Sequence, residues 1–241
     1  MFAPLTVELL KLRRSLAALF ALIPPSLIAV FLFANALRIG EAVPWEMWLT
    51  QSLAIWSFFM LPMSVTALTA LIAHMENGPR SWDHLRALPT PRWRLYAAKV
   101  VAVLLVIGVM TILTVAFAVG AALLATIIDP ALAPSGDPDL SAFAGLTLRI
   151  YAAGLLMTVI QLWIALRFTS FVPGLAVGIG GTFFAVIATA SRVGVFLPWQ
   201  MPVNMLATEA WRWQTALALG VVGGLFALAA MLVHLSRREV L

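Results

Sequence analysis

The chain has 241 residues, 63% of them hydrophobic and 10% charged, and its mean hydropathy is +1.02. Soluble domains carry about a quarter charged residues, so a soluble globular protein is excluded and an all-α polytopic membrane protein is expected. The net charge of +5 sits at the ends of apolar stretches, where anionic headgroups account for it, so nucleic acid is not an expected partner; the absence of cysteine excludes disulfides, thiolate metal sites and a cysteine nucleophile.

In chain order, the first element predicted is an amphipathic helix over 1–14, with apolar residues at Phe2, Leu5, Leu9, Leu12 and Leu16 in the three-and-four spacing of a helix face. Its basic side is expected to lie against the inner headgroups. An uncharged run over 15–37 follows, long enough to span the roughly 20 residues a bilayer requires. With Lys11, Arg13 and Arg14 before it and Ala34-Asn35-Ala36 behind it, the run also resembles a cleavable leader. It exceeds a leader's apolar core, and retention as a span is the expectation. A second span is read over 47–73.

The segment 74–99, "HMENGPRSWDHLRALPTPRWRLYAAK", is far more polar. Ser81 can cap a short helix whose first turn carries Asp83, where the helix dipole favours negative charge, and Trp82, Leu85 and Leu88 recur on one face. Pro89 stops this helix. Thr90 then caps a second one with Pro91 at its first position, where the missing N–H is harmless, leading through Trp93, Tyr96 and Lys99 into a third span over 100–128. The connector "DPALAPSGDPDLS" reads as an exposed, turn-rich loop.

A fourth span over 143–166 contains Arg149, which is affordable near a membrane surface and costly at the centre. A fifth runs over 168–191 and a sixth over 213–233. The stretch 192–212 interleaves Phe196, Leu197, Trp199, Met201, Met205, Leu206 and Trp211 with few charges, a pattern suited to the headgroup level. Small residues paired as Gly174/Gly178 and Gly220/Gly224 are predicted helix-packing positions.

Six spans put both termini on one side. Lys11, Arg13, Arg14, Arg80, Arg86, Arg92, Arg94, Lys99, Arg167, Arg237 and Arg238 fall on that side, against Arg38, Arg149, Arg192 and Arg212 opposite. The bias predicts cytoplasmic termini and a cytoplasmic 74–99 loop.

On these residues a resemblance rests. "HMENGPRSWDHLRALPTPRWRLYAAKVVAVLL" resembles the first cytoplasmic loop and third span of ABC type-2 exporter permeases, and the spacing W-x-H-L-x-A-L-P-x-x-R-W-x-x-Y-x-A-K is closest to the lantibiotic-immunity permease group. The resemblance implies one permease domain over 1–241 in a bacterial cytoplasmic (inner) membrane, with a coupling helix over 81–88 seated in a cleft of a cytoplasmic ABC ATPase. The coupling residues it implies are Glu76, Ser81, Trp82, Asp83, Leu85, Arg86, Leu88, Pro89, Pro91 and Arg92. The Asn77-Gly78-Pro79 turn departs from the plainer Gly-rich turn of many relatives. The segment 192–212 is similar to the family's outer re-entrant helices, with Phe196, Trp199, Met205 and Trp211 as outer-gate residues. A second copy or a similar permease is the implied membrane partner. The cargo expected is an amphipathic peptide or lipid-like molecule.

Chemistry within the chain itself is not expected. His74, His84 and His234 sit at span edges without an HExxH motif, so no metal site is predicted. "GIGGTF" at 178–183 lacks both the final glycine of a dinucleotide fingerprint and a preceding strand. No GxxxxGK[ST] loop is present, so ATP and Mg are expected on a partner ATPase and no cofactor on this chain. The alternatives are a secondary carrier, which usually keeps ionisable groups near the midplane, and a non-transporting membrane scaffold.

Overall fold

The computed structural model describes residues 2–13, 15–77, 91–189 and 191–237. Among them there is no strand, only an isolated bridge between Pro44 and Ser135. The helices are α1 (Phe2–Arg13), α2 (Leu16–Ile39), α3 (Trp45–Ile55), α4 (Leu61–Asn77), α5 (Arg92–Ile128), α6 (Leu140–Ala153), α7 (Leu155–Arg167), α8 (Val172–Ala188), α9 (Met201–Asn204), α10 (Ala210–Ala218) and α11 (Gly224–Arg237). Single π-helical turns, Trp56–Met60 and Leu219–Gly223, join α3 to α4 and α10 to α11.

Five stretches are long and apolar enough to cross a membrane: Leu16–Ile39, Trp45–Glu76, Arg92–Ile128, Leu140–Arg167 and Ala210–Arg237. The chain is thus an all-helical, multi-pass membrane protein. The sequence reading expects a sixth span over 168–191, and there the structure has the shorter apolar helix α8. Pro173 in its first turn sets the start, and its 17 residues extend about 25 Å at 1.5 Å per residue, against a hydrocarbon thickness of about 30 Å.

Helix α5 is the axle of the molecule, touching α1, α2, α3, α4, α6, α7 and α11. Its 37 residues reach about 55 Å, so it overshoots the bilayer and carries Arg92 to Lys99 as an extension. Hydrogen bonds tie neighbours to it: the Trp48 indole donates to Ala118 O at 2.7 Å and the Tyr151 hydroxyl to Leu104 O at 3.0 Å. Several hydroxyls inside the apolar helices bond back along their own helices, as Thr66 does to Pro62 O, Thr111 to Ile107 O and Thr182 to Gly178 O. That removes the penalty of an unpaired polar group in lipid.

At the corner between α1 and α2, the Ser15 hydroxyl accepts from Ala17 N and donates to Leu12 O, which makes α1 a helix separate from the first span. Its orientation departs from the expected one. Glu8 and Leu12 turn inward and are buried, while Leu9 and Leu10 are exposed, so Lys11 points to protein partners and not to headgroups.

Close approach governs the glycines. A Cβ on Gly220 would lie 2.5 Å from the Ala153 carbonyl oxygen, and one on Gly224 2.7 Å from the Leu155 side chain. Gly178 packs against the Thr66 side chain, and Gly174 is within ordinary contact of Ala165. Gly220→Ala must therefore push backbone from backbone, and a loss of about 1–3 kcal/mol is expected. Gly180 has open space around it, so Gly180→Ala serves as the control. Thermal unfolding in detergent should show a lowered midpoint for the first variant alone; equal midpoints would refute the packing role.

Candidate functional site

Glu76 stands on the last turn of α4 and Lys99 two turns into α5, on either side of the polar segment in sequence. These two residues meet across the gap. The Lys99 ammonium donates to Glu76 Oε1 at 2.7 Å and to Glu8 Oε1 of α1 at 2.8 Å. Lys11 completes the circuit, donating to Glu76 Oε1 at 2.9 Å and, more loosely, to Glu8 Oε1 at 3.4 Å. Two carboxylates and two ammoniums thus alternate, and the group is charge-balanced.

The depth of the group decides what it is. The side chain of Lys99 is 0% exposed, Glu76 1%, Glu8 8% and Lys11 32%. A buried ammonium or carboxylate on its own costs several kcal/mol, and the direct ion pairs offset that cost here. For Lys11, partial burial works against the charge, but the hydrogen bond from Lys11 to Glu76 and the fields of Glu8 and Glu76 outweigh it and raise its pKa above the ordinary 10.5. With the folded value raised, its contribution is complete at neutral pH and is lost only as pH climbs through that raised value.

Three elements reach this point by independent routes. α1 presents Glu8 and Lys11 on adjacent turns of one face, α4 brings Glu76 at the end of a span, and α5 brings Lys99 from its overshoot. The arrangement contains no nucleophile paired with a base. It is an ionic clasp that holds both flanks of the loop, and the N-terminal helix, in one fixed geometry.

Of the predicted coupling residues, Glu76 belongs to this clasp, Pro91 immediately precedes α5 and Arg92 opens it. Ser81, Trp82, Asp83, Leu85, Arg86, Leu88 and Pro89 lie outside the described residues. The predicted outer-gate residues differ in exposure. Phe196 and Trp211 are exposed, with the Trp211 indole donating to Glu209 Oε2 at 2.8 Å. Met205 is buried beside Met201, and Trp199 packs on Gly181 of α8. Arg149 lies with its guanidinium 5.2 Å over the Trp213 ring.

Of the clasp, sequence reasoning named only Glu76 as a site residue: it set Lys11 among the headgroup-facing cations, read Lys99 only as the cation that opens a span, and passed over Glu8 altogether. Its signal was present: a carboxylate three residues after Leu5 and four before Leu12 shares their face of the helix.

Comparison with known proteins places a family model, ABC-2 family transporter protein, on residues 5–189, which includes all four members of the clasp. No curated protein and no solved structure matches the chain.

Proposed function

From the premise that the chain belongs to the ABC-2 family of transporter proteins, and so supplies the membrane component of an ABC transporter with an ATPase partner, we propose that it is an exporter permease whose loop over 78–90 receives the push of ATP hydrolysis. The observation that carries this is the clasp of Glu8, Lys11, Glu76 and Lys99. A force applied to the loop enters α4 and α5 at once, and enters α1 with them, because all three are bonded at the loop's base.

In this reading six spans, α8 among them, leave both termini cytoplasmic in a bacterial inner membrane. The helix over 81–88 seats in the ATPase cleft. ATP and Mg are held by that partner, and this chain catalyses nothing. Two permeases, identical or similar, form the pathway. The apolar, Met- and Trp-bearing walls suit an amphipathic peptide or lipid-like cargo, and the loop pattern favours clearance of antimicrobial peptides of the lantibiotic type. The ionisable groups of the clasp lie beside the loop and neutralise each other, which speaks against their being the midplane proton or sodium site of a secondary carrier.

ATP turnover tests the reading. The purified chain alone should hydrolyse no ATP, and co-purified with its ATPase it should support turnover that cargo alters. Hydrolysis by the isolated chain at rates comparable to the complex, with contaminants excluded, would overturn it.

A further inference from the structure

Two consecutive prolines interrupt the first span. Pro24 and Pro25 lie inside α2, which continues as a helix past them to Ile39. A proline has no N–H, so each withdraws the donor that the carbonyl four residues back would have had. The two carbonyls concerned belong to Phe20 and Ala21. In lipid no bulk water replaces a lost donor, and proline inside a span is tolerated where a neighbouring hydroxyl or an ordered water satisfies the freed groups again.

A hydroxyl stands opposite. Ser64 of α4 is 7% exposed, and its Oγ has no hydrogen-bond partner among the described residues. Every other buried serine or threonine among them bonds back to a carbonyl three or four residues earlier, as Ser52 does to Leu49 O and Thr158 to Gly154 O. Ser64 and the two residues with freed carbonyls line one cavity. Phe20, Ala21 and Pro24 form its α2 wall, Ser64 belongs to its α4 wall, and Val106 and Met110 of α5 close it. Its volume is about 20 Å³. One water needs roughly 10–15 Å³, so there is room for one and not for two.

We propose that this cavity is a binding site for a single structural water. Donors and acceptors match: the Ser64 hydroxyl donates to the water oxygen, and the two O–H groups of the water donate to Phe20 O and Ala21 O. Three bonds are the usual complement of a buried water. A direct bond from Ser64 would serve one carbonyl and leave the other. The water ties α4 to the proline pair of α2, and it lets the first span keep both prolines in lipid without two orphaned carbonyls. The site is separate from the clasp and does not depend on which cargo the transporter moves.

Ser64→Ala in the purified full-length chain tests the proposal by the sign of its effect. With the water in place the variant loses a hydrogen bond, and the midpoint of thermal unfolding in detergent should fall by about 2 °C. In a dry cavity the same change removes an unpaired buried hydroxyl, and the midpoint should stay or rise. Pro24→Ala with Pro25→Ala returns a donor to each carbonyl, so in that background Ser64→Ala should no longer lower the midpoint. Should the double proline variant fail to fold, the sign in the parent still decides, together with a crystal structure fine enough to place waters. That structure should hold one water within hydrogen-bond distance of Ser64 Oγ, Phe20 O and Ala21 O. A Ser64→Ala midpoint at or above the parent's, an equal fall in the background lacking both prolines, or a cavity without density for a water each overturns the proposal.

Discussion

Lys99→Met is expected to lower the stability of the folded chain by about 3–5 kcal/mol, the cost of leaving one partner of a buried ion pair without its counter-ion. The reason lies in the arithmetic of the clasp. Glu8 and Glu76 share the Lys99 ammonium at 2.8 and 2.7 Å; without it, two buried carboxylates lose a cation in direct contact and keep the part-exposed Lys11. A second variant separates charge from volume. Glu76→Met together with Lys99→Met removes one charge of each sign and leaves Glu8 with Lys11, a neutral pair one helical turn apart, so most of the lost stability should return. The double variant still lacks the bond between α4 and α5, and its transport should remain impaired. Chemical or thermal unfolding in detergent and a transport assay read the two effects separately. If Lys99→Met is as stable as the parent, the clasp is not what holds this end of the bundle.

Much of this architecture is legible in the chain, because lipid forces a simple rule on sequence: backbone groups must pair within a helix, so apolar length alone locates spans. The stretches expected over 15–37, 47–73, 100–128, 143–166 and 213–233 each fall, to within one residue, inside a long helical segment of the structure. What apolar length does not mark is a local change of winding. The π-helical turns at Trp56–Met60 and Leu219–Gly223 need one extra residue per turn and no special composition, and the break between α6 and α7 at Gly154 shows only as a glycine among several.

The clasp was half legible. Glu76 stood out as an acid ahead of the loop and Lys99 as the cation opening a span, each understandable alone as an end-of-helix charge. Their meeting depends on α4 and α5 packing side by side, which no local pattern encodes. Glu8 was obscured by the helix register. Reading Leu9 as part of the apolar face turns Glu8 toward water, whereas in the structure Glu8 and Leu12 are buried, Leu5 packs against the core and Leu9 is exposed. In a lipid-bathed helix the exposed face is apolar as well, so the apolar residues alone do not identify the inner side.

The other large effect is expected at the loop itself. Trp82→Ala with Leu85→Ala removes two apolar side chains whose burial in an ATPase cleft would contribute about 1.5–3 kcal/mol each, and a loss of that size weakens an interface by more than a hundredfold at about 1.4 kcal/mol per decade. Neither residue lies in a span, so insertion and abundance in the membrane should match the parent. The clasp is intact in this variant, which distinguishes it from Lys99→Met: one should detach the ATPase from a sound permease, the other should weaken the permease itself.

Co-purification of the ATPase with the tagged double variant Trp82→Ala, Leu85→Ala, extracted from membranes that contain it at the parent's level, tests the central claim most directly. The account predicts that the ATPase is lost and transport stops while the permease keeps its unfolding midpoint; a full complement of bound ATPase together with undiminished transport would contradict it.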